Sequence, residues 1–440
     1  MQKKIDLWVG SIQKLSCATL RFPQEGLCAF TKSLQMEWTF LQRVIPCYSS
    51  FFQPLEDAIT SHFLPALFHT EIVPPRELTR LPRKNAGLGI PDPTEQKDQS
   101  FSTSSKASRL LMKSLVNHSA PFCLKDHNDH VKEVRSSHQA HKAEIAKLSL
   151  DFFLANNPSC KRITEAASQS GLWISIPPTL DTKTTLSPTE CRDNLFLRYN
   201  MTPPNLNSRC DGCHQPFSVN HGLNCPKGGL IIHRHDELRN ELGDLLMNAF
   251  GRTAVRTEPH SNPVALTDPT VAGNQEPNRP SAGATFSETN ANRGDLLVRN
   301  LEENSTDAII DFQVTNIFSN SYFHKELKDH LTDLQSIKDK KHKRNCERQR
   351  RKFIPFIASC NGNLGPLAER LLKRIAAKLA HKWSQPYSYT IQFVRNRVSI
   401  SLARSASHCL RGSRVPTSFF SHNRYDFDEA EGIYSLGIVW

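Results

Sequence analysis

The sequence predicts a mixed α and β protein: a helical N-terminal half, a small cysteine-histidine knuckle, and then a mixed β-sheet flanked by helices. Three observations carry this expectation. Apolar residues recur at three- and four-residue steps through LQMEWTFLQRVIP and PLEDAITSHFLPALF, the spacing of one helix face. Three cysteines and a histidine crowd into CDGCHQPFSVNHGLNC. Beyond them, GDLLVRN and DAIIDFQVTN read as strands, and two further helical patterns enclose the apolar run FIPFIAS.

In chain order, residues 1–115 form a helical region, with 1–70 strongly periodic and a turn-rich PPRELTRLPRKNAGLGIPDP at 74–93. Residues 94–150 are polar and should make exposed helices without a core of their own. A polar helical linker covers 116–205. Within it, Ser187-Pro188-Thr189-Glu190 is a capping-box start, which places a helix over 187–199. The knuckle occupies 206–229. The sheet and its helices occupy 230–385, interrupted at 259–291 by a Pro-, Asn-, Ser- and Gly-rich insertion that buries too little surface to order itself. A basic extension, 386–440, closes the chain.

Length and charge narrow the function classes. A chain of 440 residues suggests several units, and a formal net charge of +12 favours an anionic partner, nucleic acid first and a membrane surface second; DNA is the expected partner, with RNA possible and no membrane. No run of 18 apolar residues exists, so no membrane span is expected, and MQKKIDLWVG lacks the apolar stretch of an export signal. The expected location is intracellular, the nucleus ahead of the cytoplasm. The twelve cysteines then read as free thiols or metal ligands rather than a disulfide framework.

Cys210, Cys213, His221 and Cys225 follow the pattern C-x2-C-x7-H-x3-C. Thiolates two residues apart can grip one ion from a tight turn, and soft sulfur with imidazole selects zinc over magnesium or calcium. Four protein ligands would close the coordination shell, which makes such a zinc structural. His214 is a spare candidate ligand. A chance grouping of buried free cysteines is the competing reading.

In DAIIDFQVTN, Ile310, Phe312 and Val314 share one face and Asp311, Gln313 and Thr315 the other. If this strand pairs with GDLLVRN as a hairpin, Asp295 approaches Asp311. Two such carboxylates repel unless a cation lies between them, and hard oxygen ligands suit magnesium or manganese. Glu237 and Glu241, four apart on the preceding helix, could add an acid. The plain alternatives are strand-end aspartates facing water and a solvated helix face; the RGD at 293–295 is coincidence.

Phe323, Leu327, Leu331, Leu334 and Ile337 mark the seam of another helix. It leads into KDKKHKRNCERQRRK at 338–352, where nine of fifteen residues are Lys or Arg. Lys340, Lys341, Lys343, Arg344, Arg348, Arg350 and Arg351 there suit phosphate binding; a nuclear-import signal and a solvated face are the alternatives.

The order helix, strand, Asp-headed strand, Asp-x-Gln strand, helix, strand resembles the restriction-like (PD-(D/E)xK) endonuclease core. With a CCHC knuckle directly upstream, the chain resembles the C-terminal part of non-LTR-type retrotransposon reverse transcriptase polyproteins. SPTECRDNLFLRY, HGLNCPKGG, AIIDFQVTN, FIPFIASCNGNLG and SLARSASHCLRGSR carry this resemblance, which is specific over 187–412. FTKSLQMEWTFLQRVIP and FLPALFHTEIVPPRELTRLPRKNAGLGI extend it more loosely to the helical region after the polymerase palm. It implies a zinc-stabilised, magnesium-dependent DNA endonuclease in which Asp295 and Asp311 hold the metal. Gln313 stands where the family's common core has lysine, and glycine replaces the usual proline before Asp295. In some members the lysine is displaced to the following helix, where Lys338 or Lys341 would supply it here. No F/Y-x-D-D motif occurs, so reverse transcription is not expected. The departure at Gln313 leaves a second expectation, a catalytically inactive nucleic-acid-binding remnant.

Overall fold

The structure is a computed structural model that describes residues 1–116, 122–257, 294–302, 306–319 and 325–415. It is mostly helical, with one mixed four-stranded sheet. The insertion expected at 259–291, Phe323 and most of the turn between Leu301 and Thr306 lie outside the described residues.

The N-terminal region is a stack of short helices: α1 (Gln2–Thr19), α2 (Pro23–Ala29), α3 (Gln35–Val44), α4 (Gln53–Ala58), α5 (Leu64–Phe68) and α6 (Arg76–Thr79). Their apolar stripes converge on Trp38, Phe30, Phe52, Phe63 and Phe68, and the turn-rich stretch adds Leu88 and Ile90. Two long helices follow, α7 (Pro93–Val116) and α8 (Leu124–Asn156). As their polar composition requires, most of both is exposed: α8 buries Ala146 and Phe153, and α7 buries Pro93, Lys97 and Ser100.

The stretch expected to be a linker does more than connect. Phe153, Ala167, Trp173, Ile174, Leu186, Cys191, Leu195, Phe196 and Tyr199 all enter the N-terminal core. They come from α8, α9 (Lys161–Gln169), the turn around Trp173 and α10 (Pro188–Arg198). Helix α10 begins with the expected capping box: Glu190 N–H donates to Ser187 Oγ at 3.2 Å, and Ser187 N–H to Glu190 Oε2 at 2.7 Å.

After the knuckle and its short α11 (Val219–Asn224) comes α12 (Leu230–Phe250). The sheet then forms in sequence order from β1 (Val255–Thr257), β2 (Leu296–Val298), β3 (Ala308–Thr315) and β4 (Lys352–Ser359). The first two pairings are antiparallel and β3 pairs with β4 in parallel. A parallel neighbour needs a crossover, and α13 (Leu327–Arg348) supplies it. Helices α14 (Pro366–Trp383) and α15 (Tyr387–Arg411) end the described fold.

The sheet is covered on both sides. Leu296, Val298, Ile310, Phe312 and Phe356 pack on α12, α14 and α15 through Leu238, Leu242, Leu245, Leu372, Ile375 and Val398. On the other side, Leu297, Ile309 and Phe353 meet Cys346, and Ile357 meets Leu327, Leu331 and Leu334, all of α13. The seam expected to reach Ile337 stops short of it, because Ile337 is 61% exposed. From Leu334 the sheet-facing stripe continues four residues on, at Lys338, rather than three.

Of the C-terminal extension expected at 386–440, residues 416–440 lie outside the described residues, and the described part is a central helix rather than a tail. In α15, Val398 and Leu402 enter the sheet core, Ile400 and Ala403 the N-terminal core, and Ala406, Cys409 and Leu410 a third cluster under the knuckle. Small serines at 399, 401, 405 and 407 let neighbouring helices approach closely. Arg411 and Ser407 fix buried Asp193 of α10 at 2.7 Å each.

Candidate functional site

The knuckle is built by a tight turn. Cys210 N–H bonds to Gln215 O at 2.9 Å and His214 N–H to Cys210 O at 2.9 Å, while Ser218 caps α11 by accepting from His221 N–H at 3.1 Å. This brings Cys210, Cys213, His221 and Cys225 together, with ligand atoms all within 4.8 Å of one another. Cys210 and Cys225 sulfurs are 3.9 Å apart, as are Cys213 and Cys225, and Cys213 Sγ lies 3.3 Å from His221 Nε2. A tetrahedral zinc with bonds to sulfur near 2.3 Å needs sulfurs about 3.8 Å apart, so this donor set could hold zinc. His214, exposed and at φ +62°, is outside the group. Burial opposes ionisation of Cys210, but hydrogen bonds from His221 and from the Cys213 and Gly212 backbone outweigh it and bring the thiol down to about 6. Burial and the neighbouring thiols push Cys225 up.

The knuckle is locked to the rest of the fold. Asp211 accepts from Arg414 N–H at 2.7 Å, and the Arg414 guanidinium donates to Gly222 O at 3.0 Å and lies 5.2 Å over the Phe217 ring. Gly228 and Gly229 both have positive φ, +73° and +71°, but a Cβ on Gly228 would meet Arg414 Cα at 2.3 Å whereas one on Gly229 meets nothing within 4 Å. Gly229→Ala should therefore cost about 1–2 kcal/mol of backbone strain. Gly228→Ala should cost clearly more in denaturant unfolding of the same preparation, and equal losses would show that the Arg414 contact is irrelevant.

The acidic strands pair as the hairpin expected of them. Leu296 stands opposite Ile310, and just before β2 Asp295 donates its N–H to Ile310 O at 3.1 Å, which sets Asp295 beside the Ile310–Phe312 stretch that holds Asp311. Each carboxylate has a partner that can carry positive charge. Lys338 Nζ lies 2.6 Å from Asp311 Oδ2, and His235 Nε2 lies 3.1 Å from Asp295 Oδ2, which also accepts from Phe312 N–H at 2.6 Å. Asp311 is buried, 8% exposed, and Asp295 nearly so. Gln313, half-buried, follows Asp311 on the same face, opposite Ile357. His342, one turn beyond Lys338, rests on the Phe353 ring at 5.5 Å; burial holds its pKa below the ordinary imidazole value.

Three expectations about this site are corrected. Glu241 is taken by Arg397 of α15, Oε1 to Nε at 2.6 Å. Glu237 also faces away from the aspartates: its pKa is raised to about 7 by burial, against the pull of Arg404, with Glu190 and Glu241 as its acidic neighbours. Both lie on the opposite side of α12 from His235, since two residues turn a helix by about 200°. Lys341 is exposed, so only Lys338 reaches the acids. The reading of the sequence missed His235, whose signal was its place in HRHDE two residues before Glu237.

His235 supplies a direct test. Burial disfavours its charged form, but the Asp295 and Asp236 carboxylates overcome that and raise its pKa above the ordinary value. With the folded pKa above the unfolded one, near 6.5, the pair's stabilisation is full below about pH 6.5 and is lost as pH rises through the folded value. In magnesium-free NMR titrations Asp295→Asn should lower the His235 pKa; an unmoved pKa would remove this contact from the site.

Of the basic residues, Lys340, Lys341, Lys343, Arg344, Arg348 and Arg350 are exposed and Arg351 is half-buried. No helix among the described residues is long and apolar enough to cross a membrane. No protein-family model matches the chain, and no curated protein matches it.

Proposed function

We propose that this chain is a zinc-stabilised DNA endonuclease module of the kind found at the C-terminus of non-LTR-type retrotransposon polyproteins, with a restriction-like core that nicks phosphodiesters. One observation carries the reading: Asp295 stands beside the Ile310–Phe312 stretch that holds Asp311, and Lys338 from the crossover helix lies 2.6 Å from Asp311, where it would compensate for Gln313. Asp295 and Asp311 would hold magnesium or manganese, which when bound activates water and stabilises the leaving oxygen. Lys338 sets a positive charge where charge develops on the phosphate. His235 and the Phe312 N–H orient Asp295. The Gln313 amide would contact the metal or the attacking water. Lys340, Lys341, Lys343, Arg344 and Arg348 hold the DNA backbone, and the same basic run would serve nuclear import.

A binding-only remnant is the second reading, favoured by Gln313 and by the partner already paired with each aspartate. Plasmid nicking with magnesium or manganese decides between them. Wild type should nick and Asp311→Ala should not, at comparable DNA affinity; equal behaviour supports the remnant.

A further inference from the structure

Away from the acidic pair, a cleft of about 670 Å³ opens at the edge of the sheet, between α13, β4 and α14. Its floor is apolar, from Phe353, Ile354, Leu367 and Leu371, and its rim is charged. Lys343, Arg350, Arg351, Lys352, Arg370 and Arg374 face Glu302, Asp339 and Glu347, six cations against three acids. Glu302 is spent on Lys352 at 3.0 Å and Arg374 at 2.6 Å, and Glu347 stands 4.0 Å from Lys343. No carboxylate among the described residues pairs with Arg350, Arg351 or Arg370. An apolar slot with three guanidinium groups unmatched by carboxylates at its mouth suits a flat, partly apolar ligand that carries a phosphate.

The backbone at Arg350 points the same way. It ends α13 at φ +56°, where its N–H bonds to Glu347 O at 2.9 Å and the next N–H to Cys346 O at 2.9 Å. This left-handed position closing a helix is where glycine is favoured, and a side chain there is strained. Folding alone therefore gains nothing from arginine at this site.

We propose that this cleft binds a nucleoside phosphate unit, its base on the Phe353, Leu367 and Leu371 floor and its phosphate on Arg350, Arg351 and Arg370. The unit is either a free nucleotide or an unpaired residue of a strand. Only the second source rests on the nucleic-acid reading, and neither requires the nuclease to be active.

The test is anisotropy of a labelled single-stranded oligothymidine with the full zinc-loaded chain in magnesium- and manganese-free buffer without chelator, where nicking plays no part. Arg350→Gly should weaken binding about tenfold, the loss of one charge-assisted contact, without lowering the melting temperature. Arg370→Glu should weaken it at least as much, and Lys373→Glu, the same charge change on an exposed neighbour outside the cleft, should do much less. Unlabelled AMP identifies the source: displacement marks a free-nucleotide site, and failure to displace while the cleft variants still weaken oligothymidine marks a strand site. Equal effects of Arg370→Glu and Lys373→Glu, or displacement by pyrophosphate as readily as by AMP, would overturn the site, since neither outcome needs the cleft or its floor.

Discussion

Asp311→Ala is expected to abolish magnesium-dependent nicking, while affinity of the zinc-loaded protein for DNA in magnesium-free buffer stays the same or rises slightly. The carboxylate is buried on the α13 face of the sheet, and among the described residues it forms its ion pair with Lys338, at 2.6 Å. Removing it deletes one of the two carboxylate donors. It also deletes a negative charge close to where phosphate must approach, so a fall in affinity is not expected. Lys338→Ala should lower the nicking rate by about 10²–10³-fold, the usual loss for one group stabilising transition-state charge. The decisive comparison is with the double variant. If Lys338 does the work that a lysine at 313 would do, Gln313→Lys should restore activity to Lys338→Ala, because residues 311 and 313 share a face and lie about 7 Å apart along the strand. A double variant that binds DNA yet stays inactive would detach Lys338 from the chemistry. Full activity in Lys338→Ala alone would do the same.

The position of Lys338 also shows what a sequence can and cannot disclose. From Leu334 a helical stripe can continue at the third residue, Ile337, or the fourth, Lys338. Apolarity alone selects Ile337, yet Ile337 is exposed and Lys338 turns inward. The deciding partner is Asp311, buried on a strand more than twenty residues earlier, and periodicity carries no information about such a contact. Local signals did better. The capping box at Ser187, the period-two alternation of β3, the hairpin that sets Asp295 beside the stretch holding Asp311, and the four knuckle ligands all stand where short-range rules put them. Glu237 and Glu241 were misplaced because an i, i+4 pair fixes a shared face without saying which neighbour that face meets. Arg397 and Arg404, some 160 residues away, claim it. Helix α15 looked like a basic tail because it carries four arginines and no acidic residue. Its Val398 and Leu402 enter the sheet core, and its Ile400 and Ala403 the N-terminal core.

Removing the knuckle's metal should be felt beyond the knuckle. Purified protein is expected to carry zinc in equimolar amount. Chelation, or Cys225→Ser, should destabilise the chain by several kcal/mol; isolated zinc peptides lose about 10–16, but here an attached fold retains part of the structure. Because the ligands must be thiolates, zinc should be held less tightly as pH falls and protons compete for the sulfurs. The route outward is explicit. Buried Arg234 donates to Leu223 O at 3.0 Å, beside the knuckle ligands, and also to Val314 O at 3.3 Å and Cys360 Sγ at 3.0 Å. Asn316 Nδ2 donates to Asn220 Oδ1 at 2.8 Å. Zinc loss frees both of these from one side, at the end of the strand that carries Asp311 and Gln313. Hydrogen exchange should therefore quicken at 219–225 and at 314–316 together, while Leu242–Ala249 of α12, packed in the sheet core, stays protected. Were the knuckle alone to lose protection, zinc would be a local clasp with no hold on the acidic strands, and nicking by the zinc-free protein would persist.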